Sequence, residues 1–391
     1  MATTRATLHR LVNTDQQIGL TAERTLQPLG GRGDWISPPT YAQPEGEPKG
    51  PRYVYAKRRT PDGRMVDTVM LDSPASQANR MEEGLLELTQ TGRINLPMHV
   101  VHVPSLGKLT DLELPHRVYD ATIQTAYLRG GDKPYRDSKI CNELREASRK
   151  NAAPLLEHAP VVLVLGGWDS HTTLQRNAWQ GKYEKTAWSK IVGIDTSTME
   201  RPGGRLDPAG LPTSDRIDLG DGAKPLAKQG LGTVPASVGP GNRVSVSVDH
   251  AEQRSVLSLA ALRRLEFGST EQNEAAWTYL AALALLALST IHESGMHLRS
   301  ECTLVQEAGE EPGTWCARPS GERLTGATTE ECIRVLKESE QAVRASGLQI
   351  RTEPIELDVH PKLDELRRKG TTKKARKSAA KNTDATETET T

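Results

Sequence analysis

Apolar positions along this chain repeat with two periods, and the switches between them mark out its elements. Alternation near 18–29 and over 64–71 predicts two half-buried strands. VSVSV at 244–248 and the segment 302–306 predict two more. The aliphatic runs VVLVL (161–165) and SKIVGI (189–194) are short and continuous, as in strands buried on both faces. Helical spacing appears over 119–128, 137–158, 254–267, 274–292 and 328–346. Residues 92–117 and 347–360 read as extended chain. Strands and helices therefore alternate, but long insertions separate them. A doubly wound fold would need more and tighter βα units, so the expected class is α+β, a sheet with helices on one face and a ferredoxin-like core.

One helix has an unusual start. MLDSPASQANRMEE (70–83) ends a strand and then offers Ser73 as N-cap and Pro74 as first helical residue. Ser73, Ser76, Gln77 and Arg80 follow at i, i+3, i+4 and i+7, so they share one face. Hydroxyls, an amide and a guanidinium around a helix N-terminus suit an anion such as phosphate. The alternative is a polar face turned to water.

Composition narrows the picture. Hydrophobic residues make up 36% of 391, and aromatics only 4% with Phe267 the single phenylalanine, so the core rests on Leu, Val, Ala and Ile. Fifty basic residues balance fifty acidic ones, unevenly. Eight of the bases lie in 367–381 and three of the acids in 382–391, which leaves 1–366 with a net charge of −5. Any nucleic-acid site in the body must be a local stripe. The expected organisation is a folded body over 1–366, with a Gly/Pro-dense insertion at 201–243, and a low-complexity tail over 367–391. The four cysteines show no CxxC pairing and read as reduced thiols of a cytoplasmic protein. No signal-peptide h-region is seen, and the apolar segment 275–291 is short for a membrane span and reads as a buried helix.

Candidate chemistry is sparse. HESGMH places His292 and His297 five apart, whereas a zinc pair of the HExxH kind needs four. No Ser-His-Asp or Cys-His set can be placed, and neither a metal nor a cofactor is expected. GGWDS (166–170) follows the VVLVL run but lacks the GxxxxGK[ST] pattern of a nucleotide triphosphate loop. Its glycines permit close approach of a ligand, and Trp168 is either a base-stacking residue or a core tryptophan. QRNAWQGKYEKTAWSK (175–190) interleaves Arg176, Lys182, Lys185 and Lys190 with Trp179, Tyr183 and Trp188. That suits single-stranded nucleic acid, with phosphates and open base faces, and it also suits an amphipathic surface. RSVLSLAALRRLEF (254–267) reads as a packed helix with Arg254 at its N-terminal boundary and Arg263 opposite the apolar stripe.

Taken together, LDSPASQANRMEE, VVLVLGGWDSHTTLQRNAWQGKYEKTAWSKIVGID, TSDRID and RSVLSLAALRRLEF, in this order, resemble the CRISPR-associated RAMP protein of type I-G (formerly I-U) systems, the backbone subunit of that Cascade complex. The resemblance spans roughly 15–306 and leaves the tail uncovered. It implies an RRM-like palm with inserted finger and thumb segments, and a non-catalytic subunit whose copies line up head to tail along one guide (cr)RNA. Partners would be the guide RNA, target DNA through the guide, other copies of the chain, other Cascade subunits and a recruited helicase-nuclease, with no membrane. By resemblance Ser73, Ser76, Gln77 and Arg80 match the element where the guide backbone docks. Segment 201–243 would be the thumb, with Arg201, Arg205 and Arg216 as its contacts. TSDRID is followed by Leu219-Gly220 where the family's pattern has a proline. Trp168, Ser170, Lys182, Lys185, Arg254 and Arg263 complete the candidate RNA-binding set. Two other classes fit less of the sequence: a metal-independent endoribonuclease using His171 or His292 as general base, and a scaffold that binds only proteins.

Overall fold

The computed structural model describes residues 1–41, 53–60, 62–169, 182–200, 208–211, 215–218, 222–226, 231, 244–293, 295–309, 311 and 313–368. Its centre is an antiparallel sheet that runs, edge to edge, Met296–Arg299, Cys302–Gln306, Gly19–Pro28, Val244–Ser258, Ala187–Glu200, Met65–Asp72 and Tyr55–Arg59. The alternation in the sequence decides which face is covered. Leu20 and Leu26, Val246 and Val248, Ile191, Val69 and Leu71 are all buried. Helix Pro74–Gln90 packs against helix Thr270–Glu293 and the Ala187–Glu200 strand, and helices Arg5–Val12 and Thr329–Ala345 flank Thr270–Glu293. On the face away from these helices Glu23, Arg58, Lys190, Glu252 and Arg254 keep varying degrees of exposure. The chain is α+β, with helices against a largely antiparallel sheet.

A second sheet orders Gly107–Thr110, His99–Val103, Ile355–Asp358 and Tyr127–Leu128 around its own small core of Val101, Ile123, Tyr135 and Leu357. Helix Thr270–Glu293 is long and apolar enough to cross a membrane, but 83% of its apolar window is buried inside the fold. The 361–368 segment is helical and runs past the expected body boundary at 366; 369–391 lie outside the described residues.

Four expectations are corrected. VVLVL forms a helix, Pro160–Leu165, with all six residues buried. A short apolar run bears no period of its own, and here Pro160 opens a helix and Gly166, at φ 87°, closes it. The predicted 254–267 helix is a strand as far as Ser258, followed by only one turn, Leu259–Leu262. Two neighbouring strands claim its backbone, since Arg254 faces Glu23 on one side and Lys190 on the other. The 137–158 helix is two, Lys139–Glu146 and Ala153–His158, and 119–128 holds only a four-residue helix, Ala121–Gln124, before a short strand.

Candidate nucleic-acid interface

The Met65–Asp72 strand ends on a fully buried carboxylate, and a buried carboxylate needs donors. Asp72 Oδ2 accepts from Gln77 Nε2 at 2.6 Å and from Arg80 Nε at 2.9 Å. Gln77, also fully buried, accepts through Oε1 from Gln253 Nε2 at 3.0 Å. Arg80 donates its terminal amino groups to the carbonyls of His297 (3.2 Å) and Leu298 (3.3 Å). The expected single polar face is therefore split: Gln77 and Arg80 commit their donors inside the fold, because Asp72 must be satisfied. Ser73 and Ser76 remain half-buried at the helix start. Ser73 caps it as expected, accepting from Ser76 N at 3.2 Å, with Pro74 in the first position. Ser73→Ala is expected to cost about 1 kcal/mol of stability, seen as a lower urea midpoint with an unchanged m value.

The second group lies on a two-stranded ribbon, Gly167–Trp168 against Lys182–Tyr183, in which Trp168 directly opposes Lys182. Trp168 is 58% exposed, so it is not a core tryptophan. Beneath the ribbon Tyr119 and Tyr183 stack with ring centroids 6.5 Å apart. The two glycines serve packing, not ligand approach. A Cβ on Gly167 would meet Val162 Cγ1 at 2.8 Å, and one on Gly166 would meet Lys185 Cγ at 3.1 Å.

Sequence reasoning missed the residue that ties the ribbon to the helix. Arg117 donates from Nε to Glu82 Oε1 at 2.6 Å and from an amino group to the Gly166 carbonyl at 2.9 Å. Its backbone takes φ 52°, which no periodicity announces. Burial raises the Glu82 carboxyl against the opposing pull of Arg117. Lys185, on the surface beside this pair, has its ammonium pKa lowered by partial desolvation and by the Arg117 charge, against the pull of Glu82.

The other expected residues are scattered. Arg254 sits on the open sheet face, not at a helix boundary, and pairs with Glu252 (2.9 Å) and Glu23 (3.2 Å). Arg263, expected opposite the apolar stripe and in the RNA-binding set, turns inward. It donates to the carbonyls of Val12 (2.8 Å) and Gln17 (2.6 Å), closing the end of helix Arg5–Val12. Arg216 is exposed on the antiparallel pair Arg216–Asp218 and Ala223–Pro225 and donates to the Ala223 carbonyl. Ser170, Arg201 and Arg205 lie outside the described residues, as do His171 and most of 201–243.

The histidines of HESGMH fall on different elements. His292 ends helix Thr270–Glu293, with Nε2 3.1 Å from Ser255 Oγ and its ring stacked on Trp315. Burial, reinforced by the Arg24 charge, pushes its pKa down to about 3. His297 stands in the next strand, with Nδ1 2.8 Å from Thr303 Oγ1. All four cysteines are free, and burial pushes the Cys141 thiol up to about 11 and those of Cys302 and Cys332 to about 12.

The helix start, the ribbon and the strand beside them lie in one stretch of chain that a family comparison also singles out. Residues 20–198 match the family model described as CRISPR-associated protein GSU0053. The match supports a CRISPR-associated protein and takes in Ser73, Ser76, Arg117, Trp168, Lys182 and Lys185. Arg254 and Arg263 fall beyond it. No curated protein matches the chain.

Proposed function

We propose that this chain is a non-catalytic backbone subunit of a type I-G CRISPR surveillance complex, working in the cytoplasm and holding guide RNA through its phosphate backbone. Trp168 carries the reading: a largely exposed tryptophan opposite Lys182, with Lys185 close by in sequence, inside the stretch that matches a CRISPR-associated family. An exposed ring next to ammonium groups offers single-stranded RNA a stacking surface and phosphate contacts together. Ser73 and Ser76 extend the surface at a helix N-terminus, where backbone N–H groups favour phosphate. Specificity for target DNA is then delegated to base pairing with the guide. Repeated head-to-tail contact between copies builds the filament, to which other Cascade subunits and a helicase-nuclease dock.

Filter binding with labelled RNA tests this reading. Retention should be sequence-tolerant and strongly salt-dependent, with log K falling against log salt by about 0.7 per phosphate neutralised. Absence of retention at low salt would favour a protein-only scaffold. Incubation of precursor RNA with the protein in EDTA should leave it intact, and cleavage there would establish a metal-independent endoribonuclease instead.

A further inference from the structure

Strand Gly19–Pro28 has two partners on one edge and a gap between them. Its start pairs with Trp315–Arg318 through Gly19, Leu20 and Thr21, and its end pairs with Cys302–Gln306 through Leu26, Gln27 and Pro28. Between these two stretches, where Thr25 O accepts from Glu307 N at 3.0 Å, a cleft of about 670 Å³ opens beside Ala22, Glu23 and Arg24. That volume lies within the range of small-ligand sites. Arg24, Arg254, Arg318 and Arg323 line it, against the carboxylates of Glu23 and Glu311.

Among the described residues, two polar atoms of the lining lack a hydrogen-bond partner. Arg254 Nε is buried and has no hydrogen-bond partner, although its amino group pairs with Glu23 and Glu252. Thr314 Oγ1, also in the wall, is buried and unpartnered. Arg318 is exposed and commits only Nε, to Thr21 Oγ1 at 3.2 Å, which leaves its terminal amino groups without a partner among the described residues. Arg323 is held at 3.6 Å by Glu311, a loose surface pair. Guanidinium forks with unused donors match the paired oxygens of a phosphate group. A base has no platform here, since Trp315 is only 1% exposed and His292 stacks on it.

We infer that this cleft is a phosphate-binding site that takes phosphodiester oxygens of a nucleic-acid strand, separate from the Ser73 helix start and the Trp168 ribbon. The nucleic-acid origin of the phosphate rests on the function proposed above; the preference for an oxyanion does not. RNA and DNA share this chemistry, so the cleft itself does not choose between them.

The test uses the full chain and the charge-reversed pair Arg318→Glu/Arg323→Glu, with Arg318→Lys/Arg323→Lys as the charge-preserving control. Circular dichroism establishes that each variant is folded. Tripolyphosphate should raise the wild-type unfolding temperature, because a ligand that binds only the native state stabilises it. The Glu pair should lose that shift and the Lys pair should keep most of it. Affinity for short single-stranded RNA and DNA should fall about tenfold in the Glu pair, and the salt slope should drop by about one to two contacts. A wild-type tripolyphosphate shift in the Glu pair would overturn the site. Loss of that shift with unchanged RNA and DNA affinity would overturn the nucleic-acid assignment. If wild type bound tripolyphosphate through these arginines but bound no RNA, the oxyanion site would stand and the guide-binding function would fall.

Discussion

Arg80→Ala should destabilise the fold by about 3–5 kcal/mol, the usual cost of stranding one member of a buried ion pair. The Asp72 side chain has no solvent exposure, while that of Arg80 is 27% exposed. Without the guanidinium, Asp72 Oδ2 keeps only the Gln77 amide, and the carbonyls of His297 and Leu298 lose their donor. Loss on this scale takes up much of the roughly 5–15 kcal/mol that holds a domain folded. Two controls identify the mechanism. Asn79→Ala, at the exposed neighbouring position, should change stability by less than about 0.5 kcal/mol. Asp72→Asn in the Arg80→Ala background should recover part of the loss, because it removes the uncompensated charge, and the double-mutant cycle should show coupling well above about 0.5 kcal/mol. Urea denaturation reads wild type, Arg80→Ala, Asp72→Asn, the double variant and Asn79→Ala. If Arg80 contacted the guide backbone, as the family resemblance implies, the same substitution would weaken RNA binding and leave the fold intact, so the experiment separates an anchor from a phosphate contact.

Trp168→Ala should do the reverse. The ring is more exposed than buried, so its loss should leave the unfolding midpoint nearly unchanged. Removal of a stacking platform costs about 1–3 kcal/mol per base, roughly five- to 150-fold in affinity for single-stranded RNA. Trp168→Phe should restore much of that affinity, since stacking needs an aromatic face more than a particular ring. Lys182→Ala should act through charge instead, lowering the salt slope by about 0.7 with no preference among sequences. Equal affinities of wild type and Trp168→Ala would remove the ribbon from the RNA path.

How much of this was readable in the sequence depended on what each residue's neighbours were. Strand 64–71 and the Ser73–Pro74 start were legible because cap chemistry and alternation are local. So was the Thr270–Glu293 helix, apolar over more turns than any strand could be. VVLVL misled because five buried residues fit a helix packed on all sides as well as a strand, and Pro160, Gly166 and the packing against helices Ala153–His158 and Thr270–Glu293 decide between them. RSVLS misled because its fate is set by two strands that flank it in the sheet, both more than fifty residues earlier in the chain. Within the candidate site, Gln77 and Arg80 were placed on the correct helix but not on the correct partner. Asp72, one residue before the cap, is what draws them inward, and its burial is invisible until the sheet closes over it. Arg117 gave no signal, since its role depends on a positive φ and on a glutamate 35 positions earlier in the chain.

The central claim of the proposed function is that several copies of this chain hold one guide RNA. Native mass spectrometry of the protein reconstituted with guide RNA tests it most directly. The account predicts a particle in which several copies of the chain share a single RNA, with the copy number rising as the RNA is lengthened. A single copy per RNA at every length, or protein assemblies without RNA, would contradict it.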